Sequence, residues 1–130
     1  MTRLMSLTAR LSLLLLTSCA IAPFAAQSSG SNGDAIRGKE IYESRCFACH
    51  SVDTNRVGPM HMGVFGRKAG SVKDFEYSPK VKQSKVIWDD KTLDKWLTNP
   101  ESLIPGQVMS FQVPEAADRA DIIAYLKTLK

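Results

Sequence analysis

The stretch that most restricts this chain is Cys46-Phe47-Ala48-Cys49-His50. It reads C-x-x-C-H, the spacing of covalent c-type haem attachment. One thiol adds to each vinyl group of a porphyrin, and the neighbouring imidazole reaches the iron as the proximal ligand. Two other chemistries share part of this pattern. A redox dithiol needs no His50, and a zinc tetrad needs a second C-x-x-C or C-x-x-H, which the sequence lacks. Cys19, the third cysteine, stands alone near the start of the chain, so no disulfide framework is expected. The fold must therefore wrap a flat apolar ring. In a domain of about 100 residues, where burial on folding is modest, that ring supplies much of the centre.

The 130 residues predict one domain preceded by an export leader. Residues 1–10 carry Arg3 and Arg10 and no acid, and Leu11 to Leu16 follow as a short apolar run. With the small residues up to Ala26, residues 1–26 read as a secretory signal peptide. The run is too short for a mature membrane span. Leu16-Thr17-Ser18-Cys19 also resembles a lipobox, which would make Cys19 a lipidated first residue and tie the protein to the membrane. Both cleavage readings stand at this point. Residues 27–33 have a flexible linker composition. From Cys19, the segment 20–33 would give a tether with a reach of roughly 20 Å. The chain holds 17 Lys and Arg against 13 Asp and Glu. Losing Arg3 and Arg10 with the leader leaves a surplus of two dispersed positives, which does not suggest a nucleic-acid binder.

The domain 34–130 predicts helices joined by Gly/Pro-rich loops, an all-α class with no strand pattern. Asp34 is placed to cap a helix over 35–45. Ser51 to Tyr77 is loop, long enough to wrap a flat ligand. Ser78-Pro79 opens a short helix ending near Ser84. Asp90 is expected to cap a helix over 91–97, stopped by Asn99-Pro100, and Ser102 to Ser110 is expected to be loop. The last helix is expected over 115–129, with Ile122, Leu126 and Leu129 forming one apolar stripe.

With His50 on one side, the iron takes a second ligand or keeps an open site. The downstream candidates are Met60, His61, Met62 and Met109. The first three follow the motif closely, where the chain is needed to round the porphyrin edge. Met109 lies in Pro105-Gly106-Gln107-Val108-Met109-Ser110-Phe111, a loop with the turn residues to present a side chain inward. Met109 is thus the expected sixth ligand, a thioether that raises the reduction potential.

With these residues placed, the chain resembles the class I cytochromes c over about Gly38 to Lys130, especially the mitochondrial and bacterial photosynthetic-carrier branch. The resemblance implies that fold, one covalent haem c, and packing of Gly38 and Tyr42 against Ile122 and Tyr125. It implies that the Pro59 carbonyl orients His50. Arg67, Tyr77, Ser78 and Trp88 match positions that bond the haem propionates or their buried water. Pro105-Gly106-x-x-Met109-x-Phe111 resembles the methionine-ligand loop. Some positions depart from the family. His61 stands where a Leu often faces the haem, flanked by Met60 and Met62, and is expected to be a satisfied structural histidine. Trp96 replaces a Tyr that bonds the methionine sulfur, Val81 replaces a polar pocket residue, and Gln107 replaces a Thr. Glu101, Ser102, Val108 and Glu115 occupy places where relatives have lysines around the exposed haem edge, while Arg45, Lys80, Lys82 and Lys85 keep positive charge nearby.

The function expected is one-electron transfer by a monomeric, exported protein of a bacterial periplasm. It would serve a respiratory chain between two redox partner proteins and would not be an enzyme. Two rivals are a membrane-tethered subunit of a respiratory complex, held through Cys19, and a haem peroxidase or gas-binding protein with an open sixth position and His61 as distal base.

Overall fold

Asp34 accepts hydrogen bonds from the amides of Ile36 (2.8 Å) and Arg37 (3.2 Å). It thereby satisfies two of the orphan donors at the start of α1 (Ala35–Arg45), as the sequence predicts. The computed structural model describes residues 32–130; the leader 1–26 with Cys19, and residues 27–31 of the linker, lie outside the described residues. Four further helices follow: α2 (Pro79–Gln83), α3 (Asp90–Thr98), α4 (Pro100–Leu103) and α5 (Ala116–Thr128). Among the described residues the only extended pairing is an isolated antiparallel bridge between Lys68 and Ile87. No described helix is long and apolar enough to cross a membrane.

The two terminal helices pack on each other, as the resemblance implies. A Cβ on Gly38 would stand 1.9 Å from the Asp121 carbonyl oxygen, so a glycine at this crossing lets the backbones of α1 and α5 meet. Polar groups tie the same crossing. The Asp34 amide donates to Asp121 Oδ1 at 2.6 Å, Arg37 pairs with Asp121, and Arg45 reaches Asp118 at 3.0 Å. Tyr42 from α1 and Ile122, Ile123 and Leu126 from α5 are buried in one core with Leu93 and Leu97 of α3. The predicted stripe of Ile122 and Leu126 is therefore buried, with Leu129 packed at its edge.

Two expectations need correction. Asp89, not Asp90, is the N-cap of α3. It accepts from the Thr92 amide at 2.8 Å while its own amide donates to Thr92 Oγ1 at 2.8 Å, a reciprocal capping box. The segment after Asn99 is not wholly loop, because Pro100–Leu103 forms one helical turn. Asn99 is extended at φ −160° and accepts from the amides of Glu101 (3.1 Å) and Ser102 (3.4 Å). It thus closes α3 and opens α4, and the Asn-Pro pair that stops one helix starts the next. The ends of α5 differ from expectation by one residue on each side.

Candidate functional site

The attachment motif occupies the turn that leaves α1. The His50 amide donates to the Cys46 carbonyl at 2.8 Å and the Cys49 amide to the same oxygen at 3.1 Å. This single turn continues the helical course, and residues at i, i+3 and i+4 share one side of it. Cys46, Cys49 and His50 therefore line one cavity, and neither cysteine is in a disulfide. Burial pushes the Cys46 thiol up to about 11, against the lowering effect of Arg45, so as a free thiol it is protonated at neutral pH.

The loop after the motif folds back over it. The Gly58 amide donates to the Cys49 carbonyl at 2.8 Å, bringing Pro59 beside His50. His50 Nδ1–H donates to the Pro59 carbonyl at 2.8 Å, as the resemblance implies. A carbonyl can only accept, so the proton sits on Nδ1 and the lone pair of the neutral ring is on Nε2, the atom left for a metal. Burial lowers the His50 pKa, with the Pro59 bond acting in the opposite sense, which favours the neutral form a metal ligand needs.

The cavity measures about 420 Å³. Its walls are largely apolar, and Cys46, Cys49, His50 and Met109 border it together with every residue expected in the haem pocket. Pro59, Arg67, Tyr77 and Ser78 come from the long loop, Trp88 and Trp96 from α3 and the segment before it, and Met109 and Phe111 from the loop between α4 and α5. Of the four candidates for a second ligand, Met109 and His61 line the cavity, whereas Met60 and Met62 do not. A largely apolar cavity lined by two thiols, an imidazole whose Nε2 is uncommitted, and a thioether fits the donor set of a haem c. A buried polar atom in the wall, Gln107 Oε1, has no protein partner.

Several residues have local bonds that the sequence did not reveal. Arg67 donates to the carbonyls of Met62 (2.6 Å) and Met60 (2.8 Å), bracing the loop around His61. Ser78, by contrast, caps α2 as the sequence predicts, its hydroxyl accepting from the Val81 amide at 3.4 Å. Trp96 meets Trp88 edge-on, with ring centroids 5.3 Å apart. Burial raises the Tyr77 pKa, with a backbone bond to Val72 and the nearby Arg67 acting against it. His61 lines the cavity with its ring stacked on His50 at 4.2 Å and its Nδ1 sharing a hydrogen bond with the Tyr42 hydroxyl at 3.0 Å. The histidine expected to be satisfied thus lies against the His50 ring. Gly58, Leu93 and Leu97 also form the wall and were not singled out as site residues.

Arg45 also borders the cavity, but its charge is engaged by Asp118. The large apolar residues exposed along the cavity lining are Val57, Val108 and Phe111, and Arg45, Cys49, Glu76 and Ser110 are exposed there too. At Val108 the rim is apolar where the resemblance places a lysine.

Residues 35–130 match the family model described as cytochrome c. The chain is 46% identical to the cytochrome c of Euglena viridis over 101 residues, 75% of this chain and 99% of that protein. It is 46% identical to the cytochrome c-type cyt cy of Rhodobacter capsulatus over 99 residues, 75% of this chain and 50% of that protein. The solved structure of cytochrome cH from Methylobacterium extorquens superposes with a TM-score of 0.70 at 39% identity, covering 74% of this chain and 99% of that one. A helix-wrapped cavity with the C-x-x-C-H turn in its wall and this breadth of similarity lead to one assignment: the chain belongs to the cytochrome c family, as a class I monohaem cytochrome that carries one covalent haem c.

Proposed function

We propose that this cytochrome is an exported, monomeric electron carrier in which Cys46 and Cys49 hold the haem through thioethers and His50 and Met109 are its two axial ligands. The bound group supplies a one-electron ferrous–ferric couple. The chain's own residues do the rest. Pro59 keeps the proton on His50 Nδ1 and so presents Nε2. Trp88, Leu93, Leu97 and Val81 exclude water from the ring. Arg67, Tyr77, Ser78 and Trp88, which line the cavity, bond the propionates or their buried water. Val57, Val108 and Phe111 form the mouth where a redox partner approaches.

The observation that carries this reading is the convergence of both cysteines, His50 and Met109 on one cavity from separate parts of the chain. With both axial positions filled, no substrate needs access to the iron, which favours a carrier over a peroxidase or gas-binding protein. Met109→Ala tests it: the low-spin His/Met optical signature should be lost, and an unchanged spectrum would place the sixth ligand elsewhere. Fast, tight carbon monoxide binding by the unmodified ferrous protein would overturn the six-coordinate assignment.

Residues 1–26 support export to a bacterial periplasm and residues 27–33 a linker before the domain 34–130. The run Leu16 to Cys19 favours a second form of the same function, a carrier tethered through a lipid on Cys19 as part of a respiratory assembly. Sequencing the mature N-terminus separates the two. A first residue after Cys19, with the protein in the soluble fraction, removes the tether. A lipid-modified Cys19 in the membrane fraction removes the freely diffusing form.

A further inference from the structure

His61 is mounted with unusual completeness for a loop residue. The three amides around it are all engaged: Met60 donates to Asn55 Oδ1 (3.0 Å), His61 to the Ser51 carbonyl (3.0 Å) and Met62 to the Val52 carbonyl (2.6 Å). The three carbonyls are engaged as well. Arg67 bonds those of Met60 and Met62, and the Val64 amide donates to that of His61 at 2.9 Å. Such an accounting of backbone groups is ordinary in a helix and leaves a loop little freedom.

The side chain is fixed too. Its Nδ1 shares a bond with the hydroxyl of Tyr42, a residue only 1% exposed and tilted against Tyr125 of α5 with ring centroids 5.2 Å apart. The imidazole then lies nearly parallel to that of His50, at 21° and 4.2 Å between centroids. On His50 itself, Nδ1 is tied to Pro59 and the ring is closely approached by Gly58, where a Cβ would stand 2.1 Å from Cε1. The Pro59 bond sets where Nδ1 sits. It leaves the ring free to rock about the line through that bond. A flat neighbour at stacking distance opposes that rocking, because tilting one ring drives its edge into the other.

The geometry points to His61 as the positioning residue that fixes the ring plane of His50, with Tyr42 transmitting the rigidity of the α1–α5 crossing to it. The inference rests on the reading of His50 as an axial ligand. A Leu at this place would fill space but would offer neither the flat face nor the bond to Tyr42. The ring plane of an axial imidazole governs how its orbitals meet those of the porphyrin. His61 would therefore act on the electronic state without touching the iron.

The test uses the intact ferric and ferrous holoprotein with His61→Leu and Tyr42→Phe. Proton NMR of the ferric form reads the ring plane through the spread and order of the haem methyl resonances, and voltammetry reads the potential. His61→Leu should keep the low-spin optical spectrum, change the order or spacing of the methyl resonances, and shift the potential. Tyr42→Phe keeps the packing against Tyr125 but frees His61, and should displace the methyl resonances in the same sense by less. Methyl resonances and potential unchanged in His61→Leu overturn the proposal. If His61→Leu yields no holoprotein, Tyr42→Phe decides alone, and methyl resonances unchanged in it overturn the proposal. Failure of the underlying reading has a different mark, a low-spin spectrum that survives His50→Ala.

Discussion

Gly58 lies so close to the His50 ring that a Cβ on it would come within 2.1 Å of Cε1, 2.5 Å of Nδ1 and 2.7 Å of Nε2. All three atoms belong to the side of the ring that carries its chemistry. Gly58→Ala must therefore move either the loop, which is tied to Cys49, or the imidazole. Overpacking of this kind costs about 1–3 kcal/mol. The expected outcome is a holoprotein with weakened His50 ligation, seen as a high-spin fraction in the optical spectrum and a lower denaturation midpoint. A fully low-spin variant of unchanged stability would mean the loop yields without cost.

Gly38 sets two effects against each other. Ala is the better helix former by about 1 kcal/mol, so an exposed Gly→Ala in α1 would stabilise it. Here the added Cβ meets the Asp121 carbonyl oxygen at 1.9 Å, and a backbone atom cannot rotate away. The steric term should win, giving Gly38→Ala a net loss of ~1–2 kcal/mol in denaturant unfolding. Neither Gly38 nor Asp121 lines the cavity, so the low-spin optical spectrum of the folded variant should match the parent. A stabilised variant would show that α1 and α5 slide apart at little expense.

The Asp89 carboxyl is held below its ordinary value by bonds from Thr92, first its amide and then its hydroxyl. The folded pKa is below the unfolded one. The cap's charge-dependent contribution is therefore present above the ordinary carboxylate range of about 4 and is lost as pH falls through the folded value. Asp89→Asn keeps an acceptor for the Thr92 amide and removes the titration. Its Tm, followed by helical circular dichroism, should fall less steeply with acid than the parent's. Parallel acid limbs for the two proteins would remove Asp89 from the account.

These predictions draw on features of unequal legibility in the sequence. The capped ends of α1 and α2 were readable because Asp34 and Ser78-Pro79 act on amides two or three residues away. The C-x-x-C-H motif was readable because its chemistry depends on spacing alone. Asp89 and Asp90 are adjacent and both can cap, so the choice rests on which one turns out of the helix. Pro100–Leu103 was missed because Asn99-Pro100 is at once a stop and a start. The convergence of Met109 with His50 was expected from turn residues and from resemblance. The stacking of His61 on His50 was not, because it depends on bonds from Asn55, Ser51, Val52 and Arg67 that no local pattern encodes. The pairing of Arg45 with Asp118 was hidden for the same reason, and it changes the charge at the cavity mouth.

At that mouth Val108 is 84% exposed and Val57 79%, with Phe111 beside them. These three side chains add no charge to the rim and so contribute no long-range steering of a charged partner. Val108→Lys supplies the missing charge. A unit charge acting over roughly 10 Å of water is worth about 0.4 kcal/mol, or roughly a twofold change in local concentration of a singly charged partner. Oxidation of the ferrous protein by a hexacyanoferrate anion, which carries more charge, should therefore accelerate at least about twofold at low salt. The advantage should vanish once the screening length falls to about 3 Å near 1 M salt. Val108→Glu should slow the same reaction and show the opposite salt dependence. If neither variant differs from the parent at low ionic strength, electrons leave the haem by a face other than the one Val108 borders.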